Sequence, residues 1–367
     1  MIGELVLNKI ILENFKGYSF LELDKLKRVN LIAGMNNIGK TSILEAIYMQ
    51  HDRLAGDLFI APLVRRGAQH FDLSAEYIFH PYFNDFNFHN PFKIITEDSG
   101  YKTIATYSMV SPLNQKVEIN KNDLFMNSVL SSSMNINNVM EIAYASNNKP
   151  QGKSRIQIVN NQIEMNVENL MQANRQVVFV PASARGNSVT DAQFMSKLDL
   201  ANGIEEFISY LKMIDSRLKN VSLLSIGGMP TIYVDVGLKR KIPMIQMGEG
   251  ISKLTSILTA ILSNQNAIIL IDEIENGIHY SLMPKIWEIL FAAAQKQKCQ
   301  IFATTHSHDV IEGVAKYMNK CSESKSDIEQ QSFSYIRLDR DKEGLVVPKY
   351  YGPSTLLASV ERDWDIR

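Results

Sequence analysis

Cysteine is nearly missing from this chain. Cys299 and Cys321 are the only two, with no CxxC spacing and no second pair, so neither a disulfide framework nor a zinc site is expected, and a reducing compartment fits. Long apolar runs are missing too: no stretch approaches the roughly 18 uninterrupted apolar residues of a membrane span. The opening MIGELVLNKIILENF is broken by Glu4, Asn8, Lys9 and Glu13 and reads as a strand, not a secretory leader. A cytoplasmic protein without a membrane partner is expected. Nor is there an excess of one charge. A net charge of −1 gives no overall pull toward nucleic acid, so DNA binding could come only from a local basic stripe and has no support in composition. His51, His70, His80 and His89 lack ligand spacing such as HExxH, which leaves no histidine-based metal centre.

What is present is a 367-residue chain, long enough for two or three domain-sized units with a large core. Residues 4–13 and 18–23 read as strands around a turn at Lys16 and Gly17, followed by a buried strand, Arg28 to Ala33. Lys40 to Met49 then places Ile43, Leu44, Ala46 and Ile47 on one helical face. From 51 to 175 the pattern loosens into the aromatic cluster IFHPYFNDFNFHNPF, short alternating strands and an asparagine-rich stretch from Asn127 to Asn174. This reads as an inserted lobe of mixed strand and loop character, with turns and mobile loops.

Regular structure resumes at Val177 to Val180, and one helical segment is expected over about 191–219. Strands at Leu223 to Ile226 and Thr231 to Val236 precede a helix from Ile251 to Leu262. The strand Ala267 to Ile271, a helix from Ser281 to Gln297, the strand Gln300 to Thr304 and a closing hairpin and helix complete the pattern. Alternating strands and helices predict an α/β fold with a mostly parallel sheet flanked by helices, an N-terminal antiparallel β region and the inserted lobe. The expected units are 1–50 with 176–367, and 51–175.

Gly34-Met-Asn-Asn-Ile-Gly-Lys-Thr41 fits GxxxxGK(S/T) between a hydrophobic strand and an amphipathic helix, the context a P-loop requires. Gly34 and Gly39 let the loop through Asn36, Asn37 and Ile38 curl so that its N–H groups point at phosphate oxygens beside a helix N-terminus. Lys40 adds charge at the β- and γ-phosphates, Thr41 offers a hydroxyl to Mg²⁺, and Ser42 lines the same pocket. ATP with Mg²⁺ is therefore the expected ligand.

The apolar strand AIILIDE ends in Asp272, suited to hold Mg²⁺, and Glu273, suited to orient or deprotonate the attacking water. A third strand, FATTHSHD, ends in Thr304, Thr305 and His306, and a histidine there can reach the γ-phosphate. An Mg²⁺-dependent ATPase is expected, with Lys40, Glu273 and His306 as its catalytic groups.

At these residues the chain resembles the ATP-binding-cassette superfamily, and within it the RecF, OLD and structural-maintenance-of-chromosomes (SMC) branch. ENFKGYSFLEL before LIAGMNNIGKTSILEAI is similar to that branch's NFK-type start. DEIENGIHYSLMPKIW is similar to its DEPE-GLHP pattern, with Ile274 where proline is usual, and LLASVERDWDIR resembles the ends of its stand-alone AAA-type members. The resemblance spans about 1–50 and 176–367. It implies a signature segment, matched by Met247-Gly-Glu-Gly-Ile-Ser252 with Gly248 in the usual serine position, whose Gly248 and Gly250 would contact nucleotide in the opposing subunit. It further implies a homodimer closed head to tail around two ATP molecules, and a magnesium-contacting glutamine for which Gln69 is the candidate.

OLD nucleases carry a TOPRIM domain after the ATPase. The short stretch after His306 leaves no room for one, so any nuclease or toxin activity is expected in a separate effector protein, in antiviral defence or DNA repair and maintenance. A scaffold or sensor that holds ATP without turning it over, and a transporter motor, are the competing classes. The basic runs Arg65-Arg66 and Lys239-Arg240-Lys241 read as solvated loops. Arg185 could be a loop residue or face the nucleotide, and the aromatic cluster from Tyr77 to Phe92 reads as core before base-stacking platform.

Overall fold

The computed structural model describes residues 6–68, 70, 72–98, 100–110, 139–183, 188–226, 228–323 and 332–361. Strand β1 (Leu7–Phe15) turns into β2 (Tyr18–Leu23), and β3 (Val29–Gly34) runs through the glycine loop into helix α1 (Lys40–His51). Short helices α2 (Ala61–Arg65) and α3 (Ala75–Ile78) lead to β4 (Phe92–Asp98), β5 (Tyr101–Val110), β6 (Val139–Ser146), β7 (Lys149–Val159) and β8 (Gln162–Glu168). Next come β9 (Val177–Val180), α4 (Ser188–Leu200), α5 (Ile204–Lys212), the three strands β10 (Asn220–Ile226), β11 (Met229–Asp235) and β12 (Ile242–Pro243), and α6 (Glu249–Leu262). The chain continues through β13 (Ile268–Ile271), α7 (Met283–Gln297), β14 (Gln300–Thr305), α8 (His308–Glu323), β15 (Phe333–Arg340), β16 (Val346–Tyr351) and α9 (Pro353–Glu361).

The central sheet has the order β16-β15-β3-β14-β13-β9, and every pairing in it is parallel except the edge pair β15 and β16. Every residue of β3, β13 and β14 is buried, as a parallel sheet covered on both faces requires. Alternation along these strands divides two cores. Leu31, Ile269, Ile271 and Ile301 point into the core shared with α6 and α7, and Ile32, Ile268, Leu270 and Phe302 into the core shared with α1. This is the α/β, P-loop architecture that the alternating pattern predicts.

The second core is closed by a seven-stranded antiparallel sheet of order β2-β1-β4-β5-β6-β7-β8. The strands of residues 92–168 therefore continue the sheet begun by β1 and β2, with α1 between this sheet and the central one. The aromatic cluster belongs to this core: Phe79, Tyr82, Phe83 and Phe92 are buried, and Phe92 stacks on Tyr107 at 4.3 Å.

One expectation changes. The segment 191–219 is not one helix. Asn202, at a φ of 56°, and Gly203 end α4 and begin α5, and Gly203 N–H returns to Leu198 O at 2.8 Å in a helix-terminating turn. Within the described part of Asn127 to Asn174 the asparagines serve the expected turns, and mobile loops are not needed to account for them. Asn147-Asn148 and Asn160-Asn161 all take positive φ in the two-residue turns that connect β6, β7 and β8, where asparagine is favoured. No helix among the described residues is long and apolar enough to cross a membrane.

Candidate nucleotide site

The parallel strands deliver their C-terminal ends to one edge, the place where open α/β sheets bind ligands. There β3 ends in the P-loop, β13 in Asp272 and β14 in Thr304 and Thr305. The P-loop is held from beneath by β2: Tyr18 donates its hydroxyl to Ile38 O at 3.3 Å. Gly39, at a φ of 103°, lies against that phenol, and a Cβ there would overlap the Tyr18 hydroxyl. Glycine is needed at this position for both its backbone angle and its lack of a side chain.

A cleft of about 1260 Å³ opens beside the loop, larger than the roughly 300–1,000 Å³ of ordinary ligand clefts. Asn36, Asn37, Gly39, Lys40, Thr41, Ser42, Asp272, Glu273 and Thr304 line it. Lys40 Nζ donates to Gly34 O at 2.8 Å and Met35 O at 3.0 Å. Burial lowers its pKa, opposed by the nearby carboxylates of Glu275, Glu273 and Asp272.

Asp272 is the centre of the polar network. Its Oδ1 accepts from Thr41 Oγ1 at 2.9 Å and from Thr304 Oγ1 at 2.7 Å. Burial raises its pKa, and the two hydroxyl bonds pull it back. These neutral and anionic oxygens suit a hard cation such as Mg²⁺, which takes one or two protein oxygens and completes its shell with water and phosphate. Thr41 Oγ1 and the Asp272 carboxylate could hold it. Glu273, at a φ of 45°, accepts from Asn276 Nδ2 at 2.8 Å, while its own N–H donates to Thr304 Oγ1 at 2.9 Å. The side chain is thereby turned to the cleft with one oxygen anchored.

The remaining predicted residues fall elsewhere. Ile38 is buried in the core, so only its main chain could meet a phosphate, and neither Gly34 nor Ile38 lines the cleft. His306 follows β14 with a side chain 42 % exposed and sits 3.0 Å from Glu275, outside the cleft lining. Gly248 and Gly250 are also outside that lining. Gly248 caps α6, and Gly250 packs so closely on the main chain of Gly277 that no side chain would fit. Gln69 and Arg185 lie outside the described residues.

Several residues of the site were not singled out by sequence. Thr304 joins the Asp272 carboxylate to the Glu273 amide. Lys253, fully buried on α6, donates to Pro181 O, to Ala182 O at 3.2 Å and to Asp272 O at 2.8 Å, tying the signature helix to the ends of β9 and β13; burial lowers its pKa to about 8. The only signal for it is one charged residue inside an otherwise buried helix. Arg65 and Arg66 are not simply solvated. Both line the cleft: Arg65 lies over the Tyr48 and Phe179 rings at 4.0 and 4.5 Å, and Arg66 pairs with the buried Glu45 at 2.7 Å, which also pairs with Lys16.

Residues 113–312 match the family described as "AAA domain, putative AbiEii toxin, Type IV TA system", and residues 6–52 match an "AAA ATPase domain". A Helicobacter pylori protein described as an ATP/GTP phosphatase is 23 % identical over 366 residues, which cover 95 % of this chain and 96 % of that protein. Among solved structures, an SMC head bound to the C-winged helix domain of ScpA aligns with a TM-score of 0.49 at 12 % identity, covering 95 % of this chain and 98 % of that one. The SMC head domain from Thermotoga maritima aligns with a TM-score of 0.45 at 12 % identity, covering 94 % and 99 %. With more than half of its length matched by that AAA-domain model, and a P-loop facing paired carboxylates, the chain belongs to the family so described and is an AAA-type P-loop ATPase.

Proposed function

We propose that this ATPase is Mg²⁺-dependent, closes on ATP as a head-to-tail homodimer of the OLD and RecF type, and through that closure controls a separate effector protein in phage defence or DNA maintenance. The observation that carries the hydrolytic part is the convergence of the Thr41 and Thr304 hydroxyls on Asp272 Oδ1, with Glu273 at the same strand end. Glu273 takes a proton from the attacking water as the γ-phosphoryl group transfers to that water and ADP leaves. Lys40 and the P-loop amides balance charge on the phosphates, and His306, just past the end of β14 and outside the cleft lining, is assigned to the γ-phosphate end of the bound nucleotide. Mg²⁺, when bound, neutralises charge shared by the β- and γ-oxygens.

The dimer is supported by where the signature lies. Gly248 is exposed, and neither it nor Gly250 lines the chain's own P-loop cleft, so their nucleotide contact is assigned to a second copy. Exposed Met35 on the P-loop, with Ile245 and Tyr280 near the signature, supplies apolar surface for that contact. On this reading residues 1–50 and 176–367 form the ATPase unit, 51–175 form an inserted lobe continuing the β1–β2 sheet, and the protein works in the cytoplasm. The toxin–antitoxin system named in the family description is in keeping with a partner protein.

The test is light scattering of Glu273→Gln with and without ATP and Mg²⁺, alongside turnover. Retained ATP binding, hydrolysis slowed roughly 10²- to 10⁴-fold and an ATP-dependent doubling of mass are expected. Unchanged turnover removes Glu273 from its role, and a mass indifferent to ATP removes the head-to-tail dimer. A further shift with duplex DNA would favour the maintenance role.

A further inference from the structure

Glu275 stands on the turn after β13 and takes no part in the hydrolytic scheme above. The turn is pinned to the end of β14 by Ile274 N–H, which donates to Thr304 O at 3.1 Å. The Glu275 side chain is only 12 % exposed. Its Oε1 accepts the main-chain N–H of His306 at 2.9 Å and lies 3.0 Å from His306 Nδ1. One carboxylate oxygen thus meets both the backbone and the ring of the same histidine.

That contact fixes more than position. A lone pair on Nδ1 facing an anionic oxygen at 3.0 Å would be repelled, so the proton belongs on Nδ1. In the neutral ring Nε2 then carries the lone pair.

We propose that Glu275 is a positioning residue that holds His306 in the Nδ1–H tautomer and presents Nε2 as a hydrogen-bond acceptor just beyond the end of β14. Building on the ATPase reading above, His306 then orients the attacking water alongside Glu273 and does not donate to a γ-phosphate oxygen.

The experiment combines two readouts on the full chain. Long-range ¹H–¹⁵N correlation spectra of protein labelled at histidine, taken without nucleotide, report the His306 tautomer once His306→Ala has assigned its signals. Steady-state ATP hydrolysis is measured for Glu275→Gln, Glu275→Ala, His306→Ala and the double variant Glu275→Ala with His306→Ala. Nδ1–H is expected in the parent protein and in Glu275→Gln, whose amide oxygen still accepts, and Nε2–H in Glu275→Ala. Turnover of Glu275→Ala should fall roughly 10- to 100-fold with KM for ATP unchanged, Glu275→Gln should restore most of it, and Glu275→Ala should add nothing once His306 is gone.

An Nε2–H tautomer in the parent, or a full Glu275→Ala loss in the His306→Ala background, overturns the proposal. Should Glu275→Ala fail to fold, the parent and Glu275→Gln spectra still decide. Failure of the ATPase reading would show separately, as absent turnover in the parent, and leaves the nucleotide-free spectra to decide on Glu275.

Discussion

The Thr304 hydroxyl donates to Asp272 Oδ1 at 2.7 Å and in the same position accepts the Glu273 N–H at 2.9 Å. One side chain on β14 therefore fixes the direction of both carboxylates at the end of β13. It can do so because β13 and β14 are parallel neighbours in register, Ile271 beside Ala303. Thr304→Val keeps the shape and removes both bonds. The half-buried Glu273 amide loses its partner, which should cost about 1 kcal/mol, and turnover should fall about tenfold or more through the loosened Glu273. Urea unfolding and a Mg²⁺ titration of ATPase activity check both, and unchanged values would remove Thr304 from the network.

Lys40→Ala acts on binding and not on the carboxylates. The ammonium that bonds Gly34 O and Met35 O is the charge available to the phosphates. Its removal should weaken ATP binding at least roughly tenfold, the scale of a lost charge-assisted contact. Isothermal calorimetry reads this directly, and parent-like affinity would contradict the P-loop assignment.

Much of this arrangement is legible in the chain because it is local. The P-loop is eight consecutive residues, and Asp272 and Glu273 close one apolar strand, so composition and spacing carry them. Thr304, Glu275 and Lys253 act through neighbours that become adjacent only when β9, β13 and β14 pair and α6 packs on them. Nothing in SKLTSIL marks Lys253 as a donor to Pro181, Ala182 and Asp272 carbonyls. The asparagines mark turns, as read: Asn147-Asn148 and Asn160-Asn161 are turn residues of a regular meander, but which strands they join is set by pairing between strands.

His51, at the last turn of α1, contributes a pH dependence. Its Nδ1 meets Ile47 O at 2.9 Å, and burial lowers its pKa to about 4, partly offset by that bond. The folded pKa is below the ordinary value of about 6.5, so between these limits the unfolded chain binds more protons and stability rises with pH. As pH falls from about 6.5 to about 4, the parent should lose stability relative to His51→Gln, by less than about 3 kcal/mol. Urea midpoints at several pH values check the sign, and parallel curves for the two proteins would refute it.

Lys253→Met tests the link between the signature helix and the acid strand. The methionine fills the volume but leaves the Pro181 and Asp272 carbonyls without the Lys253 donor, while Ala182 O keeps the Asn276 Nδ2 bond at 3.3 Å. Losing bonds from a charged donor should destabilise the protein by about 2–3 kcal/mol. The lost tie at Asp272 also frees the main chain next to Glu273, so turnover should fall more than ATP affinity, whose P-loop contacts are untouched. Calorimetric binding set against steady-state hydrolysis separates the two. Equal losses in both would place Lys253 in the general stability of the core, whereas a loss confined to turnover would tie it to the carboxylates at the end of β13.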